Sequence, residues 1–237
     1  SYPRLIDYES MSRIAKSVGA YLFVDMAHIA GLVAAKLIPS PIIYADFVSF
    51  TTYKTMTGGR GGVILCKKEY ADAVDKAVFP GTQGTTAVSN IAGKATIAKL
   101  AKEANFINVQ RKTLDSAKLL AAELAEKGYR LVGGGTDTHQ VLVDVTTKGL
   151  SGSQAEKTLE SIGIVTNRNY IPKDTGKIAS GLRLGTGPIS VRVIDKDYVI
   201  QIANIIDNAL MARDNQEVLS KLKRNVLDIC KQFPVYR

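Results

Sequence analysis

Residues 50–62 read FTTYKTMTGGRGG. Lys54 stands among short hydroxyl residues, has no second charge nearby until Arg60, and follows the strand-like run ADFVSF (45–50). A lysine at a strand exit, ahead of a glycine-rich turn, suits two chemistries. The phosphate-cradling GxxxxGK[ST] loop fails on order, because here the lysine precedes the glycines. The other is a Schiff base with a carbonyl cofactor. That requires a neutral amine, which desolvation and a neighbouring cation such as Arg60 would favour. The local stretch alone fits an ordinary surface lysine in a tight turn equally well.

VDMAH (24–28) closes another strand-like run and puts Asp25 and His28 at the carboxyl edge of a sheet, where open α/β folds bind ligands. A carboxylate that follows Leu22, Phe23 and Val24 is expected to be buried and to need a cationic partner. A protonated pyridine nitrogen is such a partner, and an aspartate that keeps the ring cationic makes it an electron sink. A helix cap or an ordinary salt bridge is the plainer alternative, and His28 taken alone reads as a core histidine. Arg183 lies inside the otherwise apolar run GLRLGT (181–186). There its planar guanidinium suits bidentate capture of a carboxylate, or equally an internal aspartate.

The elements that must hold these groups follow from periodicity. Met11, Ile14, Ala15 and Val18 recur at helical spacing before YLFVD (21–25), a run suited to a strand buried on both faces. ADFVSF and GGVILC (61–66) are further strands, and the alternation with helical segments predicts a mostly parallel α/β sheet. From Val88 to Glu126 the pattern is helical, with a break expected near Phe106 or Asn108. Beyond it the chain reads as α+β. HQVLVDV (139–145), IGIVTN (162–167) and GLRLGT are strands, Ser153 with Glu156 is a capping box, and a final helix starts near Asp197. The boundary is placed at about residue 105.

The 237 residues, 46% hydrophobic and 22% charged, are enough for one large or two modest domains with a sizeable core. No apolar run approaches a membrane span, and the N-terminus lacks a signal-peptide layout. Cys66 and Cys230 lie far apart without a metal-ligand spacing, which favours a reducing, cytoplasmic setting. The net charge of +9 is spread along the chain with no aromatic-interleaved basic stripe. That is the pattern of a solvated face rather than a nucleic-acid surface, and an anionic small ligand would suit the excess as well.

The blocks VDMAHIAGLVAA, TTYKT with GRGG, FPGTQG, GGTDTHQVLVD and SGLRLGT resemble, in order and spacing, the serine hydroxymethyltransferases. The resemblance extends over essentially the whole chain. It implies the type I fold of pyridoxal-phosphate-dependent transferases: part of the mostly parallel large-domain sheet (1–105) and a C-terminal α+β small domain (106–237). By the same resemblance, Lys54 carries pyridoxal phosphate as an aldimine, Asp25 pairs with the pyridine nitrogen, and His28 lies against the ring. Thr51 and Tyr53 contact the aldimine region, and Arg60 positions and polarises the lysine. Gly84, in the FPGTQG loop, approaches the cofactor phosphate of a neighbouring subunit. Arg183 binds the substrate carboxylate, and Asn169 matches a folate-binding residue. The implied reaction interconverts serine plus tetrahydrofolate with glycine plus methylenetetrahydrofolate, in a homodimer or larger oligomer. Further polypeptide before SYPR is expected to complete the site.

Four departures from the family pattern bear on that reading. Tyr53 stands where histidine is usual. Gly58-Gly59-Arg60 replaces a proline-containing block. Gln83-Gly84-Thr85-Thr86 replaces QGGP, and Gly185-Thr186-Gly187-Pro188 replaces GTPA. They leave Schiff-base chemistry intact and bear on folate-dependent transfer, so a folate-independent aldolase or transaldolase is the alternative. A non-catalytic family member is the second.

Overall fold

The computed structural model describes residues 2–235, which fall into two compact units. One is formed by residues 6–111. The other joins the start of the chain, up to Leu5, with the stretch from Lys112 onward.

The 6–111 unit opens with α1 (Tyr8–Ser17), whose N-terminus is capped by Asp7 accepting the Ser10 N–H at 3.0 Å. Then follow β1 (Phe23–Asp25), α2 (Ala30–Ala34), β2 (Phe47–Thr51), β3 (Gly62–Cys66), α3 (Ala71–Lys76), α4 (Val88–Leu100) and the start of α5 (Ala104–Glu126). The sheet order is β1-β2-β3. β1 and β2 run parallel, with Asp25 level with Ser49, whereas β2 and β3 are antiparallel. The expected mostly parallel sheet is therefore only half realised. The link from β1 to β2 contains α2 and can cross over. The link through residues 52–61 holds no helix, so the chain doubles back.

β1 is not buried on both faces as expected. Phe23 is 58% exposed and Asp25 is exposed, because β1 is an outer strand. Only central β2 places a side chain fully inside, Val48 at 2%. Phe23 instead stacks on Phe47, whose ring meets Tyr21 and Tyr70 at 5.8 and 5.0 Å. The helical stretch breaks at residues 101–103, earlier than expected. There the Lys102 and Glu103 N–H groups turn back tightly to the Lys99 and Leu100 carbonyls.

The second unit contains the C-terminal part of α5, β4 (Arg130–Leu131), β5 (Gln140–Asp144), α6 (Gly152–Ser161), β6 (Asn167–Asn169), β7 (Gly181–Gly185), α7 (Gly187–Val191), α8 (Lys196–Met211) and α9 (Gln216–Gln232). Its sheet, in order β4-β5-β7-β6, is antiparallel throughout. Val143 and Leu182 pack with Leu124, Leu159, Val199 and Ile206 from the helices in one large core. Leu142 faces the other way and packs with Val132 and Ile171. The strand expected over 162–167 does not form there: β6 begins only at Asn167 and runs to Asn169, and the single final helix is two, α8 and α9.

The capping box belongs to Ser151 and Gln154, not Ser153 and Glu156. Ser151 alone has the extended backbone of an N-cap, while Glu156 accepts the Arg168 N–H at 3.1 Å. The start of the chain is strapped onto this unit. The Asp137 N–H and the Thr136 hydroxyl donate to the Pro3 carbonyl (2.9 and 3.2 Å), and Arg4 pairs with Asp137 at 3.2 Å. No helix among the described residues is long and apolar enough to cross a membrane.

Candidate active site

Because β1 and β2 are parallel, their carboxyl ends lie on one sheet edge. Asp25 ends β1 with His28 three residues on, and Thr51 ends β2 with Lys54 three residues on. The turn after β1 is shaped by Asp25 itself, whose Oδ1 accepts the Ala27 N–H at 2.9 Å. Thr51 reaches back across the edge and donates to the Ala27 carbonyl at 3.4 Å. Asp25 is exposed, contrary to the expected buried charge, because the strand that carries it has a neighbour on one side only. Among the described residues it makes no ion pair with a lysine or arginine.

Lys54 is half-buried at the head of a tight turn. Its carbonyl accepts the Thr57 N–H at 2.8 Å, the Thr52 carbonyl accepts the Gly58 N–H at 2.7 Å, and the buried Thr52 hydroxyl donates to the Gly59 carbonyl. Glycine at 58 is required by space. A Cβ there would sit 2.8 Å from an Ile97 methyl and 3.0 Å from the Thr52 carbonyl. The turn is then hooked to the end of β1. The Thr55 hydroxyl donates to the His28 carbonyl (2.9 Å) and accepts the Gly31 N–H (3.0 Å). From α5, the Gln110 amide donates to the Thr55 carbonyl at 2.7 Å. No ion pair or hydrogen bond engages the Lys54 amine among the described residues. Arg60 stacks over the exposed Tyr53 ring at 4.9 Å.

Arg183 and Asn169 lie in the second unit, on one face of its sheet. β7 alternates, with Leu182 and Leu184 inward and Arg183 opposite them. Asn167 is level with Arg183 and Asn169 with Gly181. The Arg183 guanidinium donates to the Asn167 side chain at 3.3 Å, and the Asn169 amide donates to the Tyr170 carbonyl at 2.9 Å. Gly84 sits in an exposed stretch, where a Cβ would meet nothing within 4 Å. A cavity of about 520 Å³ in the second unit is lined by Ser151, Ser153, Arg168, Tyr170 and Lys177, and none of the residues at the β1–β2 edge borders it. That strand edge carries an acid, an imidazole, a hydroxyl and an amine. No cluster of metal-ligating side chains occurs among the described residues.

A model of the serine hydroxymethyltransferase family matches residues 1–206. The chain belongs to that family. A serine hydroxymethyltransferase-type site needs a reactive amine beside a carboxylate that is not already neutralised. Asp25 ends β1 and Lys54 follows the parallel β2, and neither forms an ion pair among the described residues, so the residue types present fit a cofactor carrying an aldehyde and a basic ring nitrogen. Two residues of this site escaped the sequence reading, Thr55 and Gln110. Gln110 carried a usable signal: it interrupts the buried stripe of α5 that runs Phe106, Gln110, Leu114, Ala117 and Ala121.

Proposed function

We propose that this chain works as a pyridoxal-phosphate-dependent hydroxymethyltransferase, converting L-serine and tetrahydrofolate to glycine, methylenetetrahydrofolate and water, and the reverse. The observation that supports the reading is the parallel β1–β2 pair, which delivers Asp25, His28, Thr51 and Lys54 to one edge in a chain of this family. Pyridoxal phosphate, when bound, supplies an aldehyde for attachment and a ring that withdraws electrons from the substrate Cα. Lys54 would be the attachment point, and its amine would hold or move a proton near the substrate Cα. Asp25 would hold the ring nitrogen, where a carboxylate favours the protonated form of that nitrogen. His28 and Thr51 line the same edge, with Tyr53 and Arg60 beside the lysine and Gly84 contributing to the phosphate site of a second copy. Arg183 orients the amino-acid carboxylate through a charge-assisted pair, and Asn169 serves the folate. The working unit is a homodimer or larger, in the cytoplasm, without nucleic-acid or membrane partners.

Borohydride reduction of the cofactor-loaded protein, followed by peptide mapping, tests this reading: the tag belongs on Lys54. A tag elsewhere, or none, sinks it and leaves the non-catalytic alternative. Tyr53 favours a second reading, since its ring is held by Arg60 where the family usually has histidine. Under that reading the chain is a folate-independent aldolase or transaldolase. Cleavage of a longer-chain β-hydroxy amino acid that proceeds equally without tetrahydrofolate would select it.

A further inference from the structure

Building on the assignment of Lys54, we propose that Gln110 is a positioning residue, which acts through Thr55 to hold the lysine turn against the end of β1. Gln110 is 2% exposed. Its Nε2 donates to the Thr55 carbonyl at 2.7 Å, while its Oε1 is buried with no hydrogen-bond partner. The reverse amide orientation would set two oxygens against each other, so the Thr55 carbonyl dictates the one observed. A buried amide oxygen without a donor opposes folding, and an apolar side chain of similar length would fill the same space without that cost. What the glutamine provides in return is the bond to Thr55.

That bond falls where the backbone needs restraint. Thr57, two residues on, has φ +59°, a left-handed conformation that a β-branched residue adopts only when its surroundings enforce it. The contact on the other side is equally close. A Cβ on Gly31 would lie 2.2 Å from the Thr55 carbonyl oxygen and 3.0 Å from Gln110 Oε1. Gln110, Thr55 and Gly31 thus form one clamp, and through the Thr55 hydroxyl it ties the residue after Lys54 to the His28 carbonyl. Without it the turn is free to relax toward an unstrained conformation, carrying Lys54 away from the Asp25–His28 end. Displacements of about 1 Å at a reacting group can lower turnover about 100-fold.

The test is Gln110→Met in the full chain, with and without bound cofactor. In the cofactor-free protein, the amides of Thr57 and Gly58 should exchange at least about tenfold faster, while those of Val48 and Ser49 in β2 stay unchanged. In the loaded protein, kcat should fall about 10- to 100-fold with a smaller change in KM, and the pH midpoint of the absorbance of the Lys54 linkage should shift. Thr55→Val breaks the same clamp from the other side and covers the case in which Gln110→Met does not fold. Thr55→Ser should recover activity relative to Thr55→Val, and the double variant Gln110→Met/Thr55→Val should lose less than the product of the single losses. Unchanged turn exchange and an unchanged pH midpoint in a folded Gln110→Met protein would overturn the proposal. So would an activity loss that vanishes once corrected for the folded fraction. If the unsubstituted chain takes the borohydride tag on Lys54 and these signatures are absent, only the positioning role fails. If it takes no tag there, the functional reading fails and this inference with it.

Discussion

β5 and β1 are built from similar apolar residues and meet opposite fates. All five residues of β5 are buried, whereas Phe23 of β1 is 58% exposed. The difference lies in what covers them. Helices pack one face of the β5 sheet, Val132 and Ile171 cover Leu142 on the other, and β5 has strands on both sides. β1 has one neighbouring strand, and its Phe23 stacks on Phe47, whose ring meets Tyr21 and Tyr70. α1 behaves alike, leaving Met11 and Ile14 48 and 61% exposed, and Val18 just past its end is 74% exposed. Apolar composition specifies a tendency, and the layer laid over it decides burial. The large helix-and-sheet core lies in the unit from Lys112 onward, and Asp25, His28, Thr51 and Lys54 lie in the 6–111 unit.

The comparison breaks most sharply at Lys54. Lys54→Ala should abolish borohydride-fixed cofactor attachment completely and leave the melting temperature of the cofactor-free protein unchanged. Leu159→Ala should do the reverse, costing about 2–5 kcal/mol for a fully buried leucine. Phe23→Ala should fall within about 0.5 kcal/mol, as exposed positions do. Denaturant titrations of both variants check this, and equal costs at the two positions would erase the contrast.

Arg183→Lys sharpens the comparison by putting a binding role in the unit with the large core. KM for the amino acid should rise about tenfold or more, because a point charge cannot reproduce the planar fork, with little change in stability. Asp144 supplies a smaller effect. Burial raises its carboxyl pKa, but hydrogen bonds from Thr146 and Arg130 outweigh that and hold it below the ordinary value. A lowered folded pKa stabilises above the unfolded value of about 3.9 and is lost as pH falls through the folded one. Stability should therefore be insensitive to this group from neutral pH to about 4 and decline below, and Asp144→Asn should flatten that acid limb. Ser151→Ala is the mildest, about 1 kcal/mol for the lost cap, read by thermal unfolding.

The candidate groups that drew notice in the sequence were isolated charges, one among short hydroxyl residues and one inside an apolar run. Lys54 and Arg183 stood out because nothing nearby explained them, and β2, β3, β5 and β7 lie where periodicity put them. The exposure of Asp25 was not legible, since whether a strand is outermost depends on pairing order and not on its own residues. Ser151 and Ser153 each have a polar residue three positions on, and only the backbone angles at Ser151 decide between them. α9 was missed although Leu219, Leu222, Val226 and Ile229 follow helical spacing, because the polar residues between them dilute the signal. The polar break that Gln110 makes in the buried stripe of α5 was legible, but its partner was not, because Thr55 lies 55 positions away in sequence.

The strap at the start of the chain has a practical consequence for dissection. Pro3, Arg4 and Leu5 are anchored to the loop at Thr136 and Asp137, yet the polypeptide enters the other unit at Ile6 and returns only at Lys112. The unit with the large core is therefore assembled from two separated pieces of sequence, and a clone starting at Lys112 would leave the Asp137 amide without its carbonyl acceptor. Expressing that half in isolation would call for grafting the opening pentapeptide back through a short linker, or for a circular permutant that makes the two pieces contiguous.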